Sequence, residues 1–211
     1  MEKTFIKAIA SETIPVALIS VEWDVRDLLD SIGEFHIVGF FDASPQSEMD
    51  DLVHLGTDNE WQRVANEHPD WKVVLAVDPP SIRNLLFNHY KENAFLTIIS
   101  PHSYVSTRAS VGTASVIQRG VTIMPNVKIG KGCKLNVNST VHHDVIIGDF
   151  CTLAPQALVL GKAILEEQVY VGAGAIIRQR CRIGKGATIG AGAVVVKDVP
   201  PGVTVMGIPA K

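Results

Sequence analysis

Histidine is the side chain best suited to moving protons near neutrality, because its unperturbed pKa lies near 6.5. The chain carries seven, and three of them, His102, His142 and His143, fall in its second half. His142 and His143 are adjacent in NSTVHHDVIIGDF and are followed by Asp144. His143 lies two positions past the apolar residue Val141 and is expected to project outward. An imidazole so placed can serve as a general base, a device typically worth about 10²–10⁴ in rate. Spacing alone favours two polar residues on a solvated face. Adjacent histidines point to different sides of a strand or corner and rarely share one metal ion, so no metal site is expected. The three cysteines, Cys133, Cys151 and Cys181, contain no CxxC pair. All three fall on a small-residue register of the repeat described next. They read as compact core filler rather than disulfide, metal ligand or nucleophile.

An aliphatic residue recurs at every sixth position from Val105 to Val195, sixteen times without insertion. Helices repeat at 3.6 residues and strands at 2, so neither alone produces this beat. A triangular prism of short strands does, at about eighteen residues per coil, and hexapeptide repeats are the signature of a parallel β-helix. Two positions before each aliphatic lies a compact residue, for example Ser139, Val145, Cys151 and Ala157. Positions i and i−2 of a strand share a face, so both registers should point inward. Glycine often follows the aliphatic, as at Gly112, Gly130 and Gly148. A corner that needs positive φ would explain it.

The first hundred residues differ. They carry 7 Lys and Arg against 17 Asp and Glu, whereas residues 101–211 carry 12 against 5. Only 3 of the 17 glycines lie before residue 100. Short apolar runs at Pro15–Ser20, Ile37–Phe41 and Trp71–Val77 read as buried strands. Glu22–Ile32, Asn59–Glu67 and Ser81–Asn93 have helical apolar spacing, with Asp58 and Ser81 as expected N-caps. This alternation predicts a small parallel α/β domain over residues 1–99. The repeat domain then takes 100–211, with the boundary near Ile98–His102. Paired prolines at Pro200–Pro201 should take the final segment out of the prism to cap or flank it. No apolar run is long enough to span a bilayer, and the N-terminus lacks the apolar centre of a secretory signal. The expected compartment is the cytoplasm, without membrane insertion. The basic half is not lysine-dense enough to suggest nucleic acid and better suits a small polyanion.

GAGAVVVKDVPPGVTVMGIPAK resembles the terminal coil and tail of the hexapeptide acyltransferases. Together with IISPHSYVSTRASVG it resembles the branch holding bacterial nucleotide-sugar N-acetyltransferases of the bacillosamine and perosamine type and the sialic acid O-acetyltransferases. The resemblance implies a Rossmann-like α/β domain followed by a left-handed parallel β-helix. It also implies a homotrimer with acetyl-CoA as co-substrate and an amino-sugar acceptor for surface polysaccharide. His143 maps onto the family's base and Asp144 onto the carboxylate that makes it more basic. A developing oxyanion would need a donor, which a backbone N–H at a corner could supply. In the family the acyl donor lies between subunits, and its contacts map onto Thr152, Gly161, Ala173 and Ala191. Thr152 stands where relatives carry a second histidine. Asp42, at the end of the second strand, matches a position near the base. His142 is left between interface packing and substrate contact.

The front domain departs from the family. Ser20–Val25 (SVEWDV) replaces a glycine-rich, diphosphate-cradling loop, and Asp78 replaces a later glycine. Like charges in a phosphate site cost affinity, which leaves the nucleotide open. Acetylation of a sugar hydroxyl, as on sialic acid, and a non-catalytic relative remain alternatives. A zinc lyase of the γ-carbonic anhydrase kind would need a wide gap followed by a close histidine pair, and the histidine spacing here does not provide it.

Overall fold

A computed structural model of the protein describes residues 13–43, 51–90 and 94–211. Four parallel strands open the chain: β1 (Ile14–Ile19), β2 (Phe35–Phe41), β3 (His54–Gly56) and β4 (Lys72–Leu75), in sheet order β3-β2-β1-β4. The inner strands are near-continuous apolar runs because both faces are covered. Helix α1 (Trp23–Ile32) packs Val25, Leu28 and Leu29 with Val16, Leu18 and Val74 on one face. Those three helix positions follow the i, i+3, i+4 spacing of one helical stripe. On the other face, α2 (Trp61–Glu67) and α3 (Pro80–His89) cover Ala17, Ile19 and Leu75 with Trp61, Val64 and Phe87. Helix α1 ends at Gly33, whose φ of 74° lets its N–H reach the Leu29 carbonyl, as a left-handed C-cap does.

Several expectations are corrected here. β3 is an unexpected edge strand, three residues being too few to show alternation. Asp58 does not cap α2. A 3₁₀ turn begins at Asp58 and is capped by Thr57 and Glu60 in a reciprocal box, while the Asp58 carboxylate accepts from Tyr90 Oη at 2.7 Å. Ser81 lies inside the first turn of α3, behind Pro79 at the cap and Pro80 at N1. Proline suits that place because the N–H it lacks would be unpaired anyway. The last residues of the expected third helix, 91–93, lie outside the described residues.

From Ile98–Ile99 to Thr204–Val205 follow eighteen two-residue strands, β5–β22, in three parallel sheets of five, seven and six. Partners lie eighteen residues apart, as in Lys134↔Thr152, Thr140↔Leu158 and Lys128↔Ile146. The aliphatic register and most of the compact one are buried in a single core, including Val141, Val145, Ile147 and Cys151. The three thiols are free and buried, as the register predicts. The two cores of the front unit run on into the prism through Ala114 and Phe150 on one side and Ile98 and Val116 on the other.

The corners work differently from the expectation. Positive φ recurs every six residues from Ala114 to Gly192, three positions after each aliphatic, and Asn126, Asp144, Lys162 and Arg180 are among its bearers. The glycines directly after the aliphatics serve close stacking instead. A Cβ on Gly130 would lie 2.7 Å from the Asp149 nitrogen and 2.8 Å from the Gly148 carbonyl carbon. Nor does the proline pair take the tail out of the prism. Val199 and Gly202 still donate to the coil below, so Pro200 and Pro201 occupy the two positions between those donors. β22 (Thr204–Val205) then joins the seven-stranded sheet beside Thr188–Ile189.

Candidate active site

His143 and Asp144 are the two central residues of the turn that follows strand Thr140–Val141. Asp144 adopts φ 59°, the left-handed conformation that a type II turn needs at its second central residue and that Asp tolerates. This turn brings the adjacent side chains together, with His143 Nδ1 at 2.8 Å from Asp144 Oδ2. The other carboxylate oxygen accepts from Asn126 Nδ2 at 3.0 Å, one coil earlier. The hydrogen bond from His143, then that from Asn126, hold the Asp144 carboxyl below the usual carboxylate range. A carboxylate only accepts, so Nδ1 is the donor in this contact, and in the neutral ring Nε2 is the nitrogen with the lone pair.

One coil later, Gly161 leaves room for the imidazole. A Cβ there would meet His143 Cε1 at 2.8 Å and Nε2 at 2.9 Å. A cleft of about 720 Å³ runs up this edge, lined by His142, His143, Gly161, Lys162, Arg178 and Arg180 among others. His142 lines the same cleft, with its ring centroid 4.7 Å from that of His143. Lys162, Arg178 and Arg180 were not expected. Adding eighteen to His143 reaches Gly161 and then Gln179, so the coil period itself points to their neighbourhood.

The other expected residues lie elsewhere in the chain. Ala173 and Ala191 sit on a different corner, where the Gly192 N–H bonds the Ala173 carbonyl. Thr152 is fully buried, and its hydroxyl accepts from Arg83 Nη2 at 2.8 Å and donates to the Asp78 carbonyl at 3.1 Å. Those bonds place the Thr152 hydroxyl in a seam between front unit and prism. Arg83, 1% exposed, holds that seam through the carbonyls of Val77, Asp78, Gly132, Phe150 and Cys151. Asp42 accepts from Ser20 Oγ at 3.1 Å. Ser20 itself has φ 62°, at the start of the stretch where relatives carry glycines.

Carboxylates gather just past the ends of β1 and β4. Lys134 Nζ, nearly buried, lies 3.2 Å from Asp24 and 3.4 Å from Asp78. Burial pushes the nearby Glu22 carboxyl up, Lys134 opposes this, and Asp24 and Asp78 reinforce it. Among the described residues no group of three or more His, Cys, Asp or Glu side chains comes together that could hold a metal ion. No described helix is long and apolar enough to cross a membrane.

Residues 117–206 match the family model of the GMPPB C-terminal domain. A GDP-perosamine N-acetyltransferase from Escherichia coli O157:H7 is 43% identical over 72 residues, 34% of this chain and 33% of that protein. The match thus spans about a third of that curated relative. The structure superposes on the acetyltransferase domain of PglB from Neisseria gonorrhoeae FA1090, solved with acetyl coenzyme A, with a TM-score of 0.85. Identity is 29%, over 94% of this chain and 98% of that one. A mutant of the GDP-perosamine N-acetyl transferase from Caulobacter crescentus, solved with CoA and GDP-perosamine, gives a TM-score of 0.85 at 25% identity, over 93% and 95% of the two chains. The repeated parallel sheets fit a left-handed β-helix, and over nearly its whole length the chain is built like the acetyltransferases of the bacillosamine and perosamine type.

Proposed function

We propose that the chain is an acetyl-CoA-dependent acetyltransferase that acetylates the amino group of a nucleotide-linked sugar destined for surface polysaccharide. The observation that carries this reading is the His143–Asp144 pair, whose free Nε2 stands over Gly161 in the cleft. The acceptor amine attacks the thioester carbonyl, forming the C–N bond. His143 Nε2 takes the N–H proton, the C–S bond breaks, and the departing thiolate recovers a proton from the imidazolium. Asp144 holds the ring with Nε2 directed at the cleft and stabilises its charge.

The reading includes a homotrimer. The outward residues of the six-stranded sheet, Tyr104, Thr122, Thr140, Leu158, Ile176 and Val194, carry no charge, and Tyr104 is 57% exposed. A second copy covering this sheet would bring a neighbouring corner towards the His143 edge. That would reconcile Ala173 and Ala191 with donor contacts, as the family resemblance implies. The reading also includes a Rossmann-like role for the front unit, with Asp42 near the acceptor, and a cytoplasmic location with the thiols free. The carboxylates around Lys134 favour a second acceptor class, a sugar without a diphosphate, including a sialic acid hydroxyl. Incubating purified protein with acetyl-CoA and a panel of 4-amino-sugar nucleotides, free amino sugars and sialic acid tests both. A product one acetyl group heavier identifies the acceptor. No product from any member, with no thermal stabilisation by acetyl-CoA, refutes the enzymatic reading.

A further inference from the structure

The turn that carries the base is fixed along its backbone and open at its side chains. The Asp144 N–H donates to the Pro125 carbonyl at 3.1 Å, and the Lys162 N–H donates to the His143 carbonyl at 3.1 Å. The coils on either side thus hold the main chain of both residues. Their side chains lack such a frame, that of His143 being 47% exposed and that of Asp144 39%. A charged contact so open to solvent contributes little, because water competes for both partners and salt screens them. Alone, it would let the carboxylate turn about its own torsions and the ring with it. One more group reaches that carboxylate. Asn126 Nδ2 donates to Asp144 Oδ1 at 3.0 Å, while Asp144 Oδ2 faces His143 Nδ1 at 2.8 Å. The two oxygens have different partners, so a rotation of the carboxylate breaks both contacts at once.

We propose that Asn126 is a positioning residue for the acyl transfer, fixing the Asp144 carboxylate so that the ring keeps Nδ1 towards it and Nε2 towards the cleft. The inference rests on the acyl-transfer reading and adds a third member to the pair, in the order Asn126, Asp144, His143. Asn126 does not line the cleft, so it acts through Asp144 and not on a substrate. It stands at the same corner one coil earlier, with φ 62° against 59° at Asp144. Asparagine tolerates that backbone, which by itself accounts for the residue type but not for the side-chain bond. Glycine, which meets the backbone demand at Gly120, Gly132 and Gly174, would leave Asp144 Oδ1 without this donor. The amide nitrogen only donates and the carboxylate only accepts, so the bond has one polarity. After the bond from His143, the one from Asn126 does most to hold the Asp144 carboxyl low, and the charge of Lys162, one coil later, is the smallest of these influences. A carboxylate kept ionised in this way stays ready to accept from the ring.

The test compares Asn126→Gly, Asp144→Ala and the double variant. Glycine accepts φ 62° freely, and Ala114 already holds φ 60° in the same corner series, so circular dichroism should show each variant folded. With acetyl-CoA and the accepted sugar, Asn126→Gly is expected to lower kcat about fivefold with both KM values unchanged, a charge-assisted bond at an open site being worth less than a buried one. In the Asp144→Ala background the same substitution should change kcat by less than about twofold, because groups that act through one another are not additive. A second measurement needs no turnover. Heteronuclear NMR of the imidazole nitrogens, about two pH units above the ordinary imidazole value, reports which nitrogen carries the proton. The Nδ1–H form of His143 should predominate in the unmodified protein and lose ground to the Nε2–H form in Asn126→Gly, since the tautomer follows the hydrogen bond made by the other nitrogen. An unchanged tautomer balance in Asn126→Gly, or an equal loss of kcat in both backgrounds, would overturn the positioning role. No transfer to any acceptor, with the tautomer balance still shifted by Asn126→Gly, rejects the functional reading and leaves the three-residue chain of bonds standing.

Discussion

His143 and Asp144 meet because a left-handed residue at the second place of a turn folds its carboxylate back onto the ring beside it. Asn tolerates the same φ and keeps the shape without the charge, so Asp144→Asn tests electrostatics rather than folding. A neighbouring negative charge favours the imidazolium. Its removal is expected to lower kcat, read by steady-state kinetics; an unchanged kcat would dismiss Asp144 as the ring's partner. Gly161→Ala tests placement. The added methyl meets only the mobile tip of His143 at its closest approach, so the melting temperature should hold while kcat falls at least tenfold, read by steady-state kinetics. The pair was legible through the repeat context and the family resemblance, since spacing alone favours two polar residues on a solvated face. The place of Thr152 in the seam was not legible, because sequence distance gives no sign that a buried arginine from α3 bonds its hydroxyl.

At the level of the elements, the six-residue beat revealed the prism before any coordinates, since nothing but stacked short strands buries every sixth residue. The corners were less legible, because glycine satisfies two demands that look alike in sequence. Gly186 meets the demand for positive φ, and a Cβ there touches nothing within 4 Å. Gly130 meets the demand for close approach, with backbone of the next coil in the way. Gly186→Ala is therefore expected to cost about 1 kcal/mol and Gly130→Ala about 3 kcal/mol, compared by urea unfolding. Equal costs would mean that stacking does not constrain the corner. The strand His54–Gly56 and the tail strand Thr204–Val205 escaped notice because each is set by its neighbour's ladder rather than by its own pattern.

For the whole molecule, Arg83 joins front unit to prism by bonding carbonyls of both. Arg83→Leu strips the guanidinium's bonds from the Val77, Gly132 and Phe150 carbonyls, while the Cys151 carbonyl keeps the Lys134 N–H. A loss of about 3 kcal/mol is expected, and the melting temperature should drop accordingly; no change would mean that the seam does not depend on it. Asp51, Glu60, Asp144 and Glu166 are held low chiefly by Arg26, Thr57, His143 and Arg182 respectively. Groups with depressed folded values stabilise above their unfolded pKa of about 4 and lose that contribution as pH falls through the folded values. The urea midpoint should therefore decline below about pH 4. A charge on the uncharged sheet, Leu158→Asp, is expected to dissociate the proposed trimer and abolish transfer, read by light scattering alongside activity; a particle size unchanged by the substitution would remove the trimer from the proposal. The most direct test is turnover by His143→Ala with acetyl-CoA and the accepted sugar, together with its affinity for coenzyme A. A fall of about 10²–10⁴ in kcat with coenzyme A still bound is the predicted result, and turnover equal to that of the unmodified protein would contradict it.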